Sequence, residues 1–152
     1  MFEWLVALVR DYGLPGLFAS SFIGSTIFVP FSTEVAMSVL VVAGVSKVGI
    51  LAVATLGSVC GTMVNYYIGY QGLRLAGRYV RERDIKRARD IMNRYGWLGV
   101  FGVLAVPVSL PVDPLTILCG ASRMDFREFT AVVLAAKLVK YALVLGLLSM
   151  LY

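Results

Sequence analysis

Apolar residues in this chain neither alternate nor recur at helical spacing. They run on in four long stretches, Leu14 to Gly44, Val48 to Tyr70, Trp97 to Ser122 and Phe129 to Tyr152. About 20 such residues at 1.5 Å per residue span a bilayer core of roughly 30 Å. Val48 to Tyr70 meets this requirement as one helix without a charge. The first stretch is too long for one ordinary crossing and is broken at Pro30, just after Gly24, Ser25 and Thr26; the third is broken at Pro107, Pro111 and Pro114. Backbone groups freed by such breaks are tolerated at membrane depth only where they are buried in protein or face a wet cavity. The pattern therefore predicts an all-α integral membrane protein with re-entrant helical hairpins over 13–45 and 96–122, each followed by a transmembrane helix, over 48–70 and 124–150. Residues 1–12 read as a short interfacial helix with Phe2, Trp4, Leu5, Leu8 and Val9 toward lipid, not as a cleaved signal, since they carry Glu3 and Asp11 and no basic leader.

The two halves of the chain echo each other. Ala43-Gly44-Val45-Ser46-Lys47-Val48 matches Cys119-Gly120-Ala121-Ser122-Arg123-Met124 at an offset of 76, and Gly13-Leu14-Pro15-Gly16-Leu17-Phe18 echoes Gly96-Trp97-Leu98-Gly99-Val100-Phe101 at 83. A unit with one net crossing reverses its orientation on repetition, so the expectation is an inverted repeat, the arrangement used by many secondary transporters.

Composition agrees with a membrane setting, with 59% hydrophobic and 15% charged residues. The net charge of +5 is that of the segment 72–95, which holds Arg74, Arg78, Arg81, Arg83, Lys86, Arg87, Arg89 and Arg94. With re-entrant hairpins these lie on the same side as Arg123 and Arg127, opposite Arg10 and Lys47, which makes 72–95 cytoplasmic by the positive-inside rule. Four plain crossings would favour the same loop as cytoplasmic. Ile85, Ala88, Met92 and Tyr95 fall at helical spacing there, with Glu82 to Lys86 and Asp90 to Arg94 as i,i+4 pairs, as in a helix lying on the membrane surface. Nothing in the segment calls for nucleic acid.

Against this background the embedded charges stand out. Glu34 lies four places after Pro30 in an otherwise uncharged run, Asp113 lies between Pro111 and Pro114, and Lys137 and Lys140 lie on one face of the last stretch with Tyr141 beside them. Each such charge costs about 2.5 to 3.5 kcal/mol on the permissive insertion scale, so these residues are expected to pair or to share an aqueous pocket. Gly57, Gly61, Asn65 and Gly69 recur at i+4, a surface for close helix packing on which Asn65 can bond across the contact. Its mate at the offset of 76 is Tyr141. The candidate substrate- and proton-binding residues are thus Glu34, Asp113, Lys137, Lys140, Asn65 and Tyr141. The chain has no histidine, which removes Ser-His-Asp triads and His-ligated zinc. Cys60 and Cys119 lack metal-ligand spacing. The reading is a non-enzyme without metal or cofactor.

Together, Pro30 with Glu34, the run Asn65-Tyr66-Tyr67-Ile68-Gly69-Tyr70, the entry Arg94-Tyr95-Gly96, the Pro-rich segment with Asp113 and Gly120, and Lys137 in the last helix resemble the DedA or SNARE-associated (VTT-domain) membrane protein family, in its short YqaA-like branch. The resemblance implies a lipid transporter or scramblase of the cell membrane that moves polyprenyl phosphate or phospholipid between leaflets, with protons exchanged at Glu34 and Asp113. Many relatives place arginines around the proline of the second hairpin; here Val106-Pro107-Val108-Ser109-Leu110-Pro111 has none, which leaves Lys137, Lys140 or a helix terminus to hold an anionic headgroup. The expected partners are membrane lipids and protons, with a homo-oligomer left open. The alternatives are a proton-coupled exchanger of small ions and a non-transporting assembly protein whose charges only lock helices together.

Overall fold

Seven helices make up the described residues of the computed structural model, which are 3–26, 33–76, 82–105, 113–122 and 124–151. In chain order they are α1 (Glu3–Tyr12), α2 (Leu14–Gly24), α3 (Thr33–Val42), α4 (Lys47–Ala76), α5 (Glu82–Ala105), α6 (Asp113–Ala121) and α7 (Phe126–Leu151). Pro30, Pro107 and Pro111 lie outside the described residues. Pro114 is the second residue of α6, where the missing N–H of proline is harmless because first-turn donors have no partner within the helix.

Two helices are long and apolar enough to cross a membrane, over Lys47–Gly72 and Phe126–Met150. The outward face of α7 bears Leu143, Leu147 and Met150, the last 87% exposed, as a helix facing lipid would. By contrast, α2, α3 and α6 have 11, 10 and 9 residues, about 14 to 17 Å at the helical rise, and none crosses alone. They lie against the long helices. α2 covers the first half of α4: a Cβ added to Gly57 or Gly61 would fall 2.7 Å from the Phe18 carbonyl oxygen or 2.4 Å from that of Phe22. The second half of α4 is covered by α6, where Gly69 meets the Ile117 carbonyl and Gly120 meets that of Tyr66, each at 2.0 Å from the added Cβ. The small-residue stripe read from the sequence is thus a track for two short helices placed one after the other.

The two halves carry the same local marks. Gly13, at φ 62°, joins α1 to α2, and Gly96, at φ 53°, kinks α5 between its basic part and its apolar part. These are the glycines matched at 83, so α1 is the counterpart of the basic helix. After α3, Val45 N–H donates to Leu40 O; after α6, Met124 N–H donates to Cys119 O. Ser46 Oγ then caps α4 through Gly49 N–H, and Asp125 Oδ1 caps α7 through Arg127 N–H. These turns coincide at an offset of 79, whereas the sequence match lies at 76. The earlier match aligned two glycines that serve different ends. Gly44 has φ 76° in a turn, whereas Gly120 is helical and buried against a neighbouring backbone. At 79 the counterpart of Glu34 is Asp113, and that of Asn65 is Val144 rather than Tyr141.

Packing divides into two apolar clusters. Val9, Leu17, Ala36, Met37, Leu40, Ile50, Ala54 and Leu145 form one; Val59, Val100, Leu104, Cys119, Phe129, Val132, Val133 and Ala136 belong to the other. Val9 is wholly buried, and the Leu8 carbonyl lies 2.2 Å from a Cβ added to Gly16. So α1 rests on α2 and belongs to the bundle, where an outward-facing Val9 was expected. In the basic part of α5, Arg94 lies over the Tyr95 ring, 5.9 Å from its centroid, in place of the Asp90 pair.

Candidate functional site

Beside the two clusters lies a group of buried polar side chains centred on the middle of α4. Four of them come from α4 itself, Thr55, Ser58, Thr62 and Asn65, at steps of three and four that keep them on one face, each no more than 2% exposed. α2 adds Ser21 and Ser25, α3 adds Thr33, α6 adds Thr116, and α7 adds Lys137 and Tyr141, all buried.

One ion pair crosses from α3 to α7. Lys140 Nζ lies 2.7 Å from Glu34 Oε1, with the side chains 12% and 24% exposed. Glu34 is the second residue of α3, where the helix dipole favours a carboxylate. Asp113 is the first residue of α6, also within a first turn, and only its backbone is described. Lys137 is 6% exposed, with Nζ 5.9 Å from the centroid of the Tyr141 ring, whose π face favours a cation. The two lysines, placed on one face by sequence, thus divide between two settings: Lys140 reaches the carboxylate, and Lys137 lies deeper against an aromatic ring.

The neutral groups form a chain of hydrogen bonds. The Tyr141 hydroxyl shares a 2.7 Å bond with Ser58 Oγ, and Ser58 bonds in turn to Ser25 Oγ. Asn65 Nδ2 donates to Ser25 O at 3.1 Å and to Thr116 Oγ1 at 3.3 Å. Thr62 returns its hydroxyl to Ser58 O at 2.8 Å. Buried polar groups stay tolerable when they satisfy each other in this way. Ser21 and Thr55 are the exceptions among the described residues, since Ser21 Oγ and Thr55 Oγ1 have no partner. Ser25 packs at Gly61 and Ser21 at Gly57, one turn apart on the same two helices.

The structure thus brings Glu34, Lys140, Lys137, Tyr141 and Asn65 into one layer. The sequence pattern pointed to Ser25 only as part of the break before Pro30, and not to Ser58, Thr62 or Thr116. Their signal was the 3-4-3 spacing of Thr55, Ser58, Thr62 and Asn65 within an apolar run, which the glycine pattern on the same helix had masked. No group of three or more metal-binding side chains is found among the described residues.

The model of the VTT domain family matches residues 29–150, which takes in α3 to α7 and every residue of the charged contact. Over 144 residues the chain is 27% identical to protein MJ0201 of Methanocaldococcus jannaschii, covering 94% of this chain and 88% of that one. No solved structure matches.

Proposed function

We propose, since the chain belongs to the VTT-domain (DedA) family, that it is a membrane transporter that moves a phosphate-bearing lipid, a polyprenyl phosphate or a phospholipid, between leaflets. Family membership supports the transporter reading, and the polar layer supports its location. A carboxylate and two ammonium groups deep in an apolar bundle are expensive to keep and are normally tied to a substrate or ion path.

The single observation that carries the reading is the 2.7 Å contact between Glu34 and Lys140, made between a short helix and a helix long enough to cross the membrane. In this function α2 with α3, and the apolar part of α5 with α6, are re-entrant hairpins that enter from opposite faces as an inverted repeat. Their lengths, about half a bilayer each, and the end-to-end placement of α2 and α6 along α4 support this. The basic part of α5 lies on the cytoplasmic surface of the cell membrane. Lys140 and Lys137, with the start of α6, hold the phosphate, because a helix N-terminus and an ammonium both favour an anion. When phosphate competes for Lys140, the contact of that ammonium with Glu34 weakens, and exchange of a proton at Glu34 couples lipid movement to a pH gradient. Asp113, its counterpart in the second half, performs the same exchange there. Asn65 and Tyr141 position these groups.

The test is movement of a fluorescent phospholipid and a fluorescent polyprenyl phosphate in liposomes holding the purified chain, with and without a pH gradient. Acceleration by the gradient, lost in Glu34→Gln and reduced in Asp113→Asn, is expected. Absence of movement for both lipids would sink the reading.

A further inference from the structure

We infer that Asn65 is a coupling residue: one amide ties the two pairs of short helices together, so that they change position in turn and not independently. This rests on the transport reading above, in which each pair opens toward one face.

The geometry is that of one NH2 group divided between two helix ends. Asn65 Nδ2 donates to the carbonyl of Ser25, the C-cap of α2, and to Oγ1 of Thr116 in the first half of α6. Asn65 is wholly buried, so a proton released by either acceptor finds no water, and a donor left unmade there carries its full desolvation penalty. Departure of one helix end therefore alters the hold on the other. Ser58 extends the tie, because its hydroxyl bonds both Ser25 and Tyr141 and so brings in α7. On either side of Asn65 the contacts are close, with Gly57 and Gly61 against the backbone of α2 and Gly69 and Gly120 at the α4–α6 contact. The amide is the adjustable element between two tight contacts. Coupling between sites ordinarily amounts to roughly a 5- to 150-fold change in an equilibrium, which is the size expected of such a bond.

The experiment uses the full chain in liposomes with a trapped pH-sensitive dye and a potassium diffusion potential, read as proton leak, alongside movement of a fluorescent phospholipid. Asn65→Leu removes both bonds, and Thr116→Val removes only the α6 acceptor at nearly constant shape. Loss of coupling lets both sides open at once, so leak is expected to rise about 10-fold or more in Asn65→Leu and by a smaller factor in Thr116→Val, within the range given above. A packing role alone would lower the thermal midpoint and leave the vesicles tight. Tight vesicles for both variants overturn the inference, and so does a leak confined to Asn65→Leu, since the tie through α6 would then carry nothing. Should Asn65→Leu not fold, Thr116→Val decides by the same criterion. If the wild-type chain moves no labelled lipid, the transport reading falls, while the leak comparison still decides whether Asn65 joins the two pairs.

Discussion

α3 and α6 begin alike, each with a carboxylate in its first turn, and end alike in a turn closed by the same backbone bond, Val45 to Leu40 and Met124 to Cys119. Their polar contacts with the long helices differ. α6 lies on α4 through Gly69 and Gly120, backbone against backbone, with a neutral amide bond from Asn65 to Thr116. α3 reaches α7 through two long charged side chains, Glu34 and Lys140. Close glycine packing depends on shape and tolerates no added atom, whereas an ion pair depends on the charge state of both partners and on what else competes for them. The first contact suits a support and the second a switch, so in the proposed transport a charged substrate would act at the α3–α7 contact.

Breaking the ionic contact should have the largest effect. Lys140→Met removes the ammonium bonded to Glu34 in a poorly hydrated place and should destabilise by about 3 to 5 kcal/mol, seen as a lower thermal midpoint in detergent. The double variant Glu34→Gln, Lys140→Met should recover most of that stability and no pH-dependent lipid movement. Full transport by the double variant would mean that the pair is only structural.

Next comes the glycine contact. Gly120→Ala puts a methyl 2.0 Å from the Tyr66 carbonyl oxygen and should cost about 3 kcal/mol, since two backbones must separate. Gly102→Ala is the control, because nothing lies within 4 Å of the added carbon and helix propensity alone favours alanine by about 1 kcal/mol. Equal melting of the two variants would remove the distinction between support and switch.

The hydroxyl layer sharpens the comparison further. Ser58→Ala takes a partner from both Ser25 and Tyr141 and should destabilise by about 1 to 3 kcal/mol, measured by chemical denaturation in bicelles. Ser21→Ala removes a buried hydroxyl that has no partner and should stabilise by about 1 kcal/mol. A loss of stability there would show that Ser21 has a bond in the membrane, to water or to substrate.

Much of this was legible in the order of residues. The long apolar runs at 48–70 and 124–150 foretold α4 and α7, because helix length and bilayer thickness are both set by backbone geometry. The matched glycines Gly13 and Gly96 marked the two φ-positive joints, since a left-handed residue leaves a mark in sequence. The embedded charges identified themselves by cost alone. The matched pair Gly44 and Gly120 did not foretell a shared role, because glycine also serves close packing, and sequence does not say which use applies at each.

Sequence by itself therefore determined that the chain forms long apolar helices and short broken ones, and that Glu34, Lys137 and Lys140 must find partners. Only the tertiary structure decided that Lys140 takes Glu34 while Lys137 lies against Tyr141, and that serines and threonines from four helices join Asn65 in one buried layer. The physical reason is that helix formation is governed by neighbours along the chain. Pairing of charges and hydroxyls, by contrast, depends on which faces meet, and that is fixed by packing among residues 40, 51, 83 and 106 positions apart, as Asn65 with Ser25 and Thr116, Ser58 with Tyr141, and Glu34 with Lys140 show.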